Sequence, residues 1–173
     1  MERKKNTKWD TLYDSEHRSL FSKIEELAIN NYFSKIFTKA ILSSTNLTSG
    51  KVFEPGSGGG MASAKLASSG FELTYMDLSE NALRKSMSLF KSLSLDGKYL
   101  LGDIFHIPIN NEQFDIVFNQ GVMEHFRLEG MNPSDGIHEM FRTVKKGGTL
   151  IILVPAYYSP LFLVYRSMKF FHL

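Results

Sequence analysis

Lys51-Val52-Phe53-Glu54-Pro55-Gly56-Ser57-Gly58-Gly59-Gly60 is where the rhythm of the chain changes. Lys51–Glu54 reads as a short strand, and the glycines after it turn the backbone into a helix over Ala62–Ser68. Glycine permits sharp turns and lets a ligand approach the main chain closely. A helix start also presents free N–H groups. A tight strand-to-helix turn that binds nothing is the bland reading. Four glycines in five residues directly after a strand make a ligand loop the better one.

Upstream, Leu20, Ile24, Leu27, Tyr32, Ile36 and Ala40 recur at near-helical spacing, which predicts helix over Ser15–Leu42. Ser43–Gly50, rich in Ser, Thr and Asn, reads as a linker. Downstream, strands alternate with helices. Glu72–Met76 is a second strand, Glu80–Leu93 a helix, Tyr99–Leu101 a third strand and Phe114–Asn119 a fourth. Pro133–Val144 is a helix with proline in its first turn, stopped by Gly147-Gly148. Thr149–Val154 is a fifth strand, apolar enough for burial on both faces. Alternation of this kind means parallel strands joined by crossovers. The expected fold is α/β, a doubly wound Rossmann-like sheet of five parallel strands with helices on both faces. One domain is expected: a helical cap over 1–44, a core over 51–154 and an apolar helical tail over 155–173.

The totals agree with a single globular domain. The chain has 173 residues, enough for a sizeable core. A net charge of +2, with no interleaved basic and aromatic surface, argues against nucleic acid as a partner. Arg3, Lys4, Lys5 and Lys8 read as a solvated tail. The absence of cysteine excludes a disulfide framework and cysteine-ligated metal, and no metal site is expected. No secretory signal and no apolar run of spanning length is visible, so the expected location is the cytoplasm.

In a doubly wound sheet the ligand lies beyond the carboxyl ends of the strands. Asp77, after the second strand, is about twenty residues beyond the glycine loop and suits a ribose diol, while Ser79 suits the cap of the next helix. Asp103 and Ile104, after the third strand, suit an exocyclic amine and the face of a base, or equally a polar turn. Asn119-Gln120-Gly121-Val122-Met123-Glu124-His125-Phe126 clusters polar groups after the fourth. A dinucleotide and S-adenosylmethionine both fit a glycine loop with a ribose-binding acid. The dinucleotide fingerprint places its third glycine where Met61 stands, and Glu54 would repel a pyrophosphate. A cofactor carrying an ammonium and a sulfonium tolerates that acid.

These motifs together resemble the class I S-adenosylmethionine-dependent methyltransferases. Val52–Gly60 resembles the first motif of that family, Tyr75–Ser79 the second, Gly102–Ile104 with Ile107-Pro108 the third, Phe114–Asn119 through His125-Phe126 the fourth, and Arg142–Leu150 the stretch before the fifth strand. The resemblance covers about Lys51 to Val154. It implies S-adenosyl-L-methionine as cofactor and a small-molecule methyl acceptor. It implies that Gly56, Ser57, Gly58 and Gly60 line the methionine part, with Glu54 near its ammonium. Asp77 would hold the ribose, Leu78 would touch adenine, Asp103 would bind the adenine amine and Ile104 would lie beside the ring. Asn119 and Gln120 would border the methionine tail and the reacting methyl. Trp9 and Tyr13 resemble a segment that covers the cofactor, and read equally well as anchors of a docking helix. His125 and Glu124 are candidate general bases for a hydroxyl acceptor. Arg142, Lys145 and Lys146 read as a solvated helix end.

The sheet of this family usually has seven strands, the last two an antiparallel pair. No such pair is expected within these residues, since Ala156–Leu173 is too short to supply a crossover helix and two strands. Leu161–Phe171 reads as an apolar helix, with core packing its preferred role. The fifth strand would then offer an open edge, and self-association through that edge or through the 161–171 helix is the expected hazard. Two rivals stand beside a methyltransferase: a dinucleotide-dependent oxidoreductase, and an inactive remnant that binds cofactor or a partner without turnover.

Overall fold

Five runs of mainly aliphatic and aromatic residues pair into one parallel sheet: β1 (Lys51–Pro55), β2 (Glu72–Asp77), β3 (Lys98–Leu101), β4 (Phe114–Gln120) and β5 (Val144–Leu153). The computed structural model that places them describes residues 7–12, 35–128 and 130–154. The strand order is β3-β2-β1-β4-β5, and every neighbouring pair is parallel. The helices are α1 (Thr7–Leu12), α2 over 35–45, α3 (Met61–Ser68), α4 (Glu80–Ser92), α5 (Met123–Leu128) and α6 (Pro133–Thr143).

Successive strand residues point to opposite faces, which splits the core in two. Val52, Tyr75, Ile116 and Phe118 pack with Ile41 of α2, Leu66 of α3 and Phe90 of α4. Phe53, Met76 and Val117 pack on the other face with Met123 of α5 and Met140 of α6. Each fully buried apolar side chain of this size contributes about 1.5–3 kcal/mol. Helices therefore cover both faces, as the strand–helix alternation predicts. β1 lies between β2 and β4, so the chain reverses its direction of travel across the sheet there. That reversal opens a crevice at the carboxyl ends of β1 and β4.

Local chemistry explains the element ends. Ser79 caps α4 by accepting from the Ala82 N–H at 3.2 Å. Asn132 caps α6, with Pro133 at its start. α2 runs past Leu42 into the stretch read as linker, and Ser43 and Thr45 fold their hydroxyls back onto the Ala40 and Ile41 carbonyls.

Two readings need correction. β5 begins at Val144, not at Thr149, where Val144 pairs with Phe114; α6 therefore ends at Thr143, one residue before the expected Val144, and Gly147-Gly148 are not its stop. The N–H groups of Glu112 and Gln113 take up the Arg142 and Thr143 carbonyls, which ends the helix. The glycines instead serve a bulge, where the register jumps from Phe114↔Val144 to Ile116↔Thr149. A Cβ at Gly148 would stand 2.9 Å from the Asp115 carbonyl oxygen, so only glycine fits there. Arg142 is also not a solvated helix end. It is half-buried, donates to the Ile107 and Ile109 carbonyls and pairs with Glu139 at 2.8 Å, clamping the loop between β3 and β4 onto α6.

α5 was not foreseen; it follows β4 directly. Within the described residues β5 has no outer neighbour in the sheet. Tyr13, most of Ser15–Leu42 and the Leu161–Phe171 helix lie outside the described residues. No described helix is long and apolar enough to cross a membrane.

Candidate functional site

The glycine loop is bolted to the end of β2. The N–H groups of Gly56 and Ser57 both donate to the Met76 carbonyl, at 2.7 and 3.0 Å. The Gly58 N–H donates to Asp77 Oδ2 at 2.8 Å. From the other side, Ser86 of α4 donates its hydroxyl to the Gly58 carbonyl at 2.7 Å. Gly56, Gly58 and Gly60 all have positive φ, at 77°, 53° and 72°. Crowding adds to this requirement: a Cβ on Gly56 would lie 2.6 Å from Val122 Cγ2, and one on Gly60 2.8 Å from Ser86 Cβ.

Asp77 ends β2 with both carboxylate oxygens in use. Oδ2 holds Gly58 and Oδ1 accepts from the Ser79 N–H at 2.9 Å. Each oxygen keeps a further lone pair for a ligand hydroxyl. Burial pushes the Asp77 carboxyl up, against the pull of the Ser79, Gly58 and Leu78 N–H groups, and the Asp10 carboxylate pushes it up further. Leu78 beside it is partly exposed.

Glu54 lies one strand over, 3% exposed, and accepts from the Ser63 hydroxyl at 2.5 Å. Desolvation raises its pKa from 4.5 to about 8; the Ser63 hydrogen bonds oppose this and the Asp77 charge reinforces it. Asn119, fully buried in β4, donates Nδ2 to the Pro55 carbonyl at 2.5 Å. Among the described residues three buried polar side-chain atoms have no hydrogen-bond partner: Ser57 Oγ, Asn119 Oδ1 and Glu124 Oε2. All three belong to the segments that follow or end β1 and β4. Buried polar groups are almost always satisfied, so this grouping points to a polar ligand.

The remaining candidates lie around this centre. The Gly102 N–H donates to the Asp77 carbonyl at 3.0 Å and places Asp103 next along. Asp103 Oδ1 accepts from the Phe105 N–H at 3.0 Å, as a turn aspartate does, and Ile104 is buried in the core beneath α6. Gln120, half-buried, ends β4 opposite Leu153. His125 packs its ring edge-on against Trp9, with centroids 4.9 Å apart. α1 is fastened across the same end: Ser79 donates its hydroxyl to Asp10 Oδ1 at 2.6 Å, and Asn81 donates to the Asp10 carbonyl at 3.1 Å. The structure thus gathers Glu54, Gly56–Gly60, Asp77 and Asn119 tightly, and sets Asp103, Glu124 and His125 around them. Sequence reasoning missed Ser63, Ser86 and Asp10. Only Ser63 left a signal, as a hydroxyl in the first turn of the helix after the loop.

The model of one family, described as a methyltransferase domain, matches residues 53–152. The chain belongs to the methyltransferase domain family. Within it, a ubiquinone biosynthesis O-methyltransferase of Hydrogenovibrio crunogenus is 31% identical over 146 residues, 83% of this chain and 53% of that protein. One of the same description from Azoarcus sp. is 32% identical, over 58% of this chain and 42% of its own length. The chain spans about half the length of the curated relatives it matches. Among solved structures, a protein of Pyrococcus horikoshii superposes with a TM-score of 0.69 at 22% identity, over 99% of this chain and 70% of its own. An S-adenosylmethionine-dependent methyltransferase from Clostridium acetobutylicum gives 0.65 at 19% identity, over 80% and 57%. At such identities these two share the fold.

Proposed function

We propose that this methyltransferase domain binds S-adenosyl-L-methionine across the carboxyl ends of β1, β2 and β4 and transfers its methyl group to a small-molecule hydroxyl. The observation that carries the reading is the bolted glycine loop, with Asp77 at one end and unpartnered Ser57, Asn119 and Glu124 atoms at the other. The family and the O-methyltransferase relatives support it. In this reading Asp77 takes the ribose hydroxyls and Asp103 and Ile104 border the base. Glu54, Ser57 and Asn119 face the amino-acid tail.

The bound cofactor supplies a methyl group already activated by its sulfonium. The chain's task is alignment, which is worth several kcal/mol in such displacements. A hydroxyl acceptor must also lose its proton as the new C–O bond forms. Glu124 is the better placed of the two candidate acceptors for that proton. Its Oε2 is buried and unpaired, whereas the His125 ring leans on Trp9. His125 in this reading shapes the wall.

Calorimetric titration of the purified chain with S-adenosylmethionine, S-adenosylhomocysteine and NAD tests the reading. Saturable binding of the first two, weakened at least tenfold in Asp77→Ala, supports it; binding of NAD alone overturns it. Methyl transfer to a panel of phenols, lost in Glu124→Gln, separates an enzyme from a binding remnant, which would take cofactor without turnover.

A further inference from the structure

The serines of the helices here mostly bond their own helix. Ser68 donates to the Ala64 carbonyl, Ser69 to Lys65 and Ser92 to Leu89. Ser63 differs. It is fully buried in the first turn of α3, and its hydroxyl leaves the helix to reach Glu54 Oε2 on β1. Its N–H acts on the same carboxyl. Both groups that Ser63 can offer as donors are thus spent on one acid, and that acid stands where the chain turns into the glycine loop.

A side chain pinned in this way has a defined direction and a defined readiness to ionise. We propose that Ser63 is a positioning residue that acts through Glu54, holding the carboxyl aimed at the ammonium of an amino-acid tail. The proposal rests on the functional reading above, in which Glu54 faces the amino-acid tail.

The physical case follows from burial. An acid this deep resists ionisation, and near neutral pH Glu54 carries its proton in the ligand-free chain, with a pKa of about 8. An arriving ammonium favours the carboxylate, so the proton must leave as the ligand enters. A hydroxyl donated to the carboxylate lowers the cost of that step. The ionisable groups around the loop are Asp77 on β2, Asp10 on α1, Glu124 on α5 and Lys85 on α4, which passes Gly59. Of these, the Asp77 charge acts on Glu54 and opposes ionisation. Ser63 is the neighbour that opposes burial and Asp77, and it does so in part.

The test compares wild type, Ser63→Ala and Ser63→Thr by calorimetry between pH 6 and 9, with S-adenosylhomocysteine and with methylthioadenosine, which lacks the amino-acid tail. Each titration is run in two buffers of different ionisation enthalpy to count protons released. In Ser63→Ala the affinity for S-adenosylhomocysteine falls about tenfold at pH 7, and the pH at which it recovers moves up by about one unit. More protons are released on binding at pH 7.5, methylthioadenosine binds as before, and Ser63→Thr restores the wild-type profile. An NMR titration of the Glu54 carboxyl in the ligand-free chains shows the same upward move without any ligand. A Ser63→Ala chain that binds both compounds with the wild-type pH profile overturns the proposal, as does an equal loss for both at every pH. Failure of wild type to bind either compound overturns the functional reading itself, and the ligand part of this proposal with it.

Discussion

Replacing Glu54 with glutamine isolates the cost of burying this carboxyl. Glutamine keeps an oxygen that accepts from the Ser63 hydroxyl and gives up the charge. In the folded chain the acid titrates near 8, against an ordinary value of 4.5. The folded state therefore holds a proton that the unfolded state has already released across that window. Stability contributed by this group is undiminished below pH 4.5, falls as pH rises toward 8, and is level above it. Each unit of pH within the window costs about 1.4 kcal/mol, so between pH 5 and pH 9 wild type loses roughly 4 kcal/mol that the glutamine chain keeps. Asp77, also raised by burial, titrates in both chains and largely cancels in the difference. Urea unfolding followed by circular dichroism at pH 5, 7 and 9 measures this directly. The glutamine chain gains on wild type as pH rises. Curves that stay parallel from pH 5 to pH 9 would refute the burial argument.

Further expectations rest on other parts of the site. Gly60→Ala meets both a positive φ and Ser86 at 2.8 Å, so it lowers unfolding stability by about 2 kcal/mol or more, read from urea midpoints. Arg142→Ala removes the guanidinium shared by the Ile107 and Ile109 carbonyls and Glu139, of which the Ile107 carbonyl and Glu139 keep backbone donors, and costs about 2 kcal/mol; Arg142→Lys does not restore it, because one ammonium cannot span the same three acceptors. Asp10→Ala releases α1 from Ser79, and Trp9, the chain's sole tryptophan, reports it by a red-shifted emission as its contact with His125 is lost. An emission spectrum that does not move would mean that the Asn81 bond to the residue 10 carbonyl and the Trp9 packing suffice to hold α1.

β1, β2 and β4 were legible because burial on both faces leaves a plain apolar signature, as in Phe114-Asp115-Ile116-Val117-Phe118. Glycine spacing and the position of Asp77 were legible because backbone geometry demands them at a strand end. The start of β5 was not, because glycine pairs signal both helix stops and bulges, and only the partner Phe114 decides which. Arg142 was misjudged for a similar reason: its carbonyl acceptors lie more than thirty residues away in sequence, which no local pattern reports. Ser63 and Ser86 look like ordinary helix serines until β1 and the loop are laid against them. α5 is a single short stretch whose polar residues mask its helical period.

The bolting of the glycine loop has a consequence for selectivity. Because the Met76 carbonyl and the Asp77 carboxylate hold Gly56, Ser57 and Gly58 directly, the span between the loop and the acid is set by the pairing of β1 with β2 and by the acid itself. The two ends cannot drift apart to admit a longer molecule or close on a shorter one without breaking sheet register. The crevice thus works as a fixed gauge. In the proposed reading, ligands are sorted by the distance between their sugar and their polar tail before any question of reactivity arises.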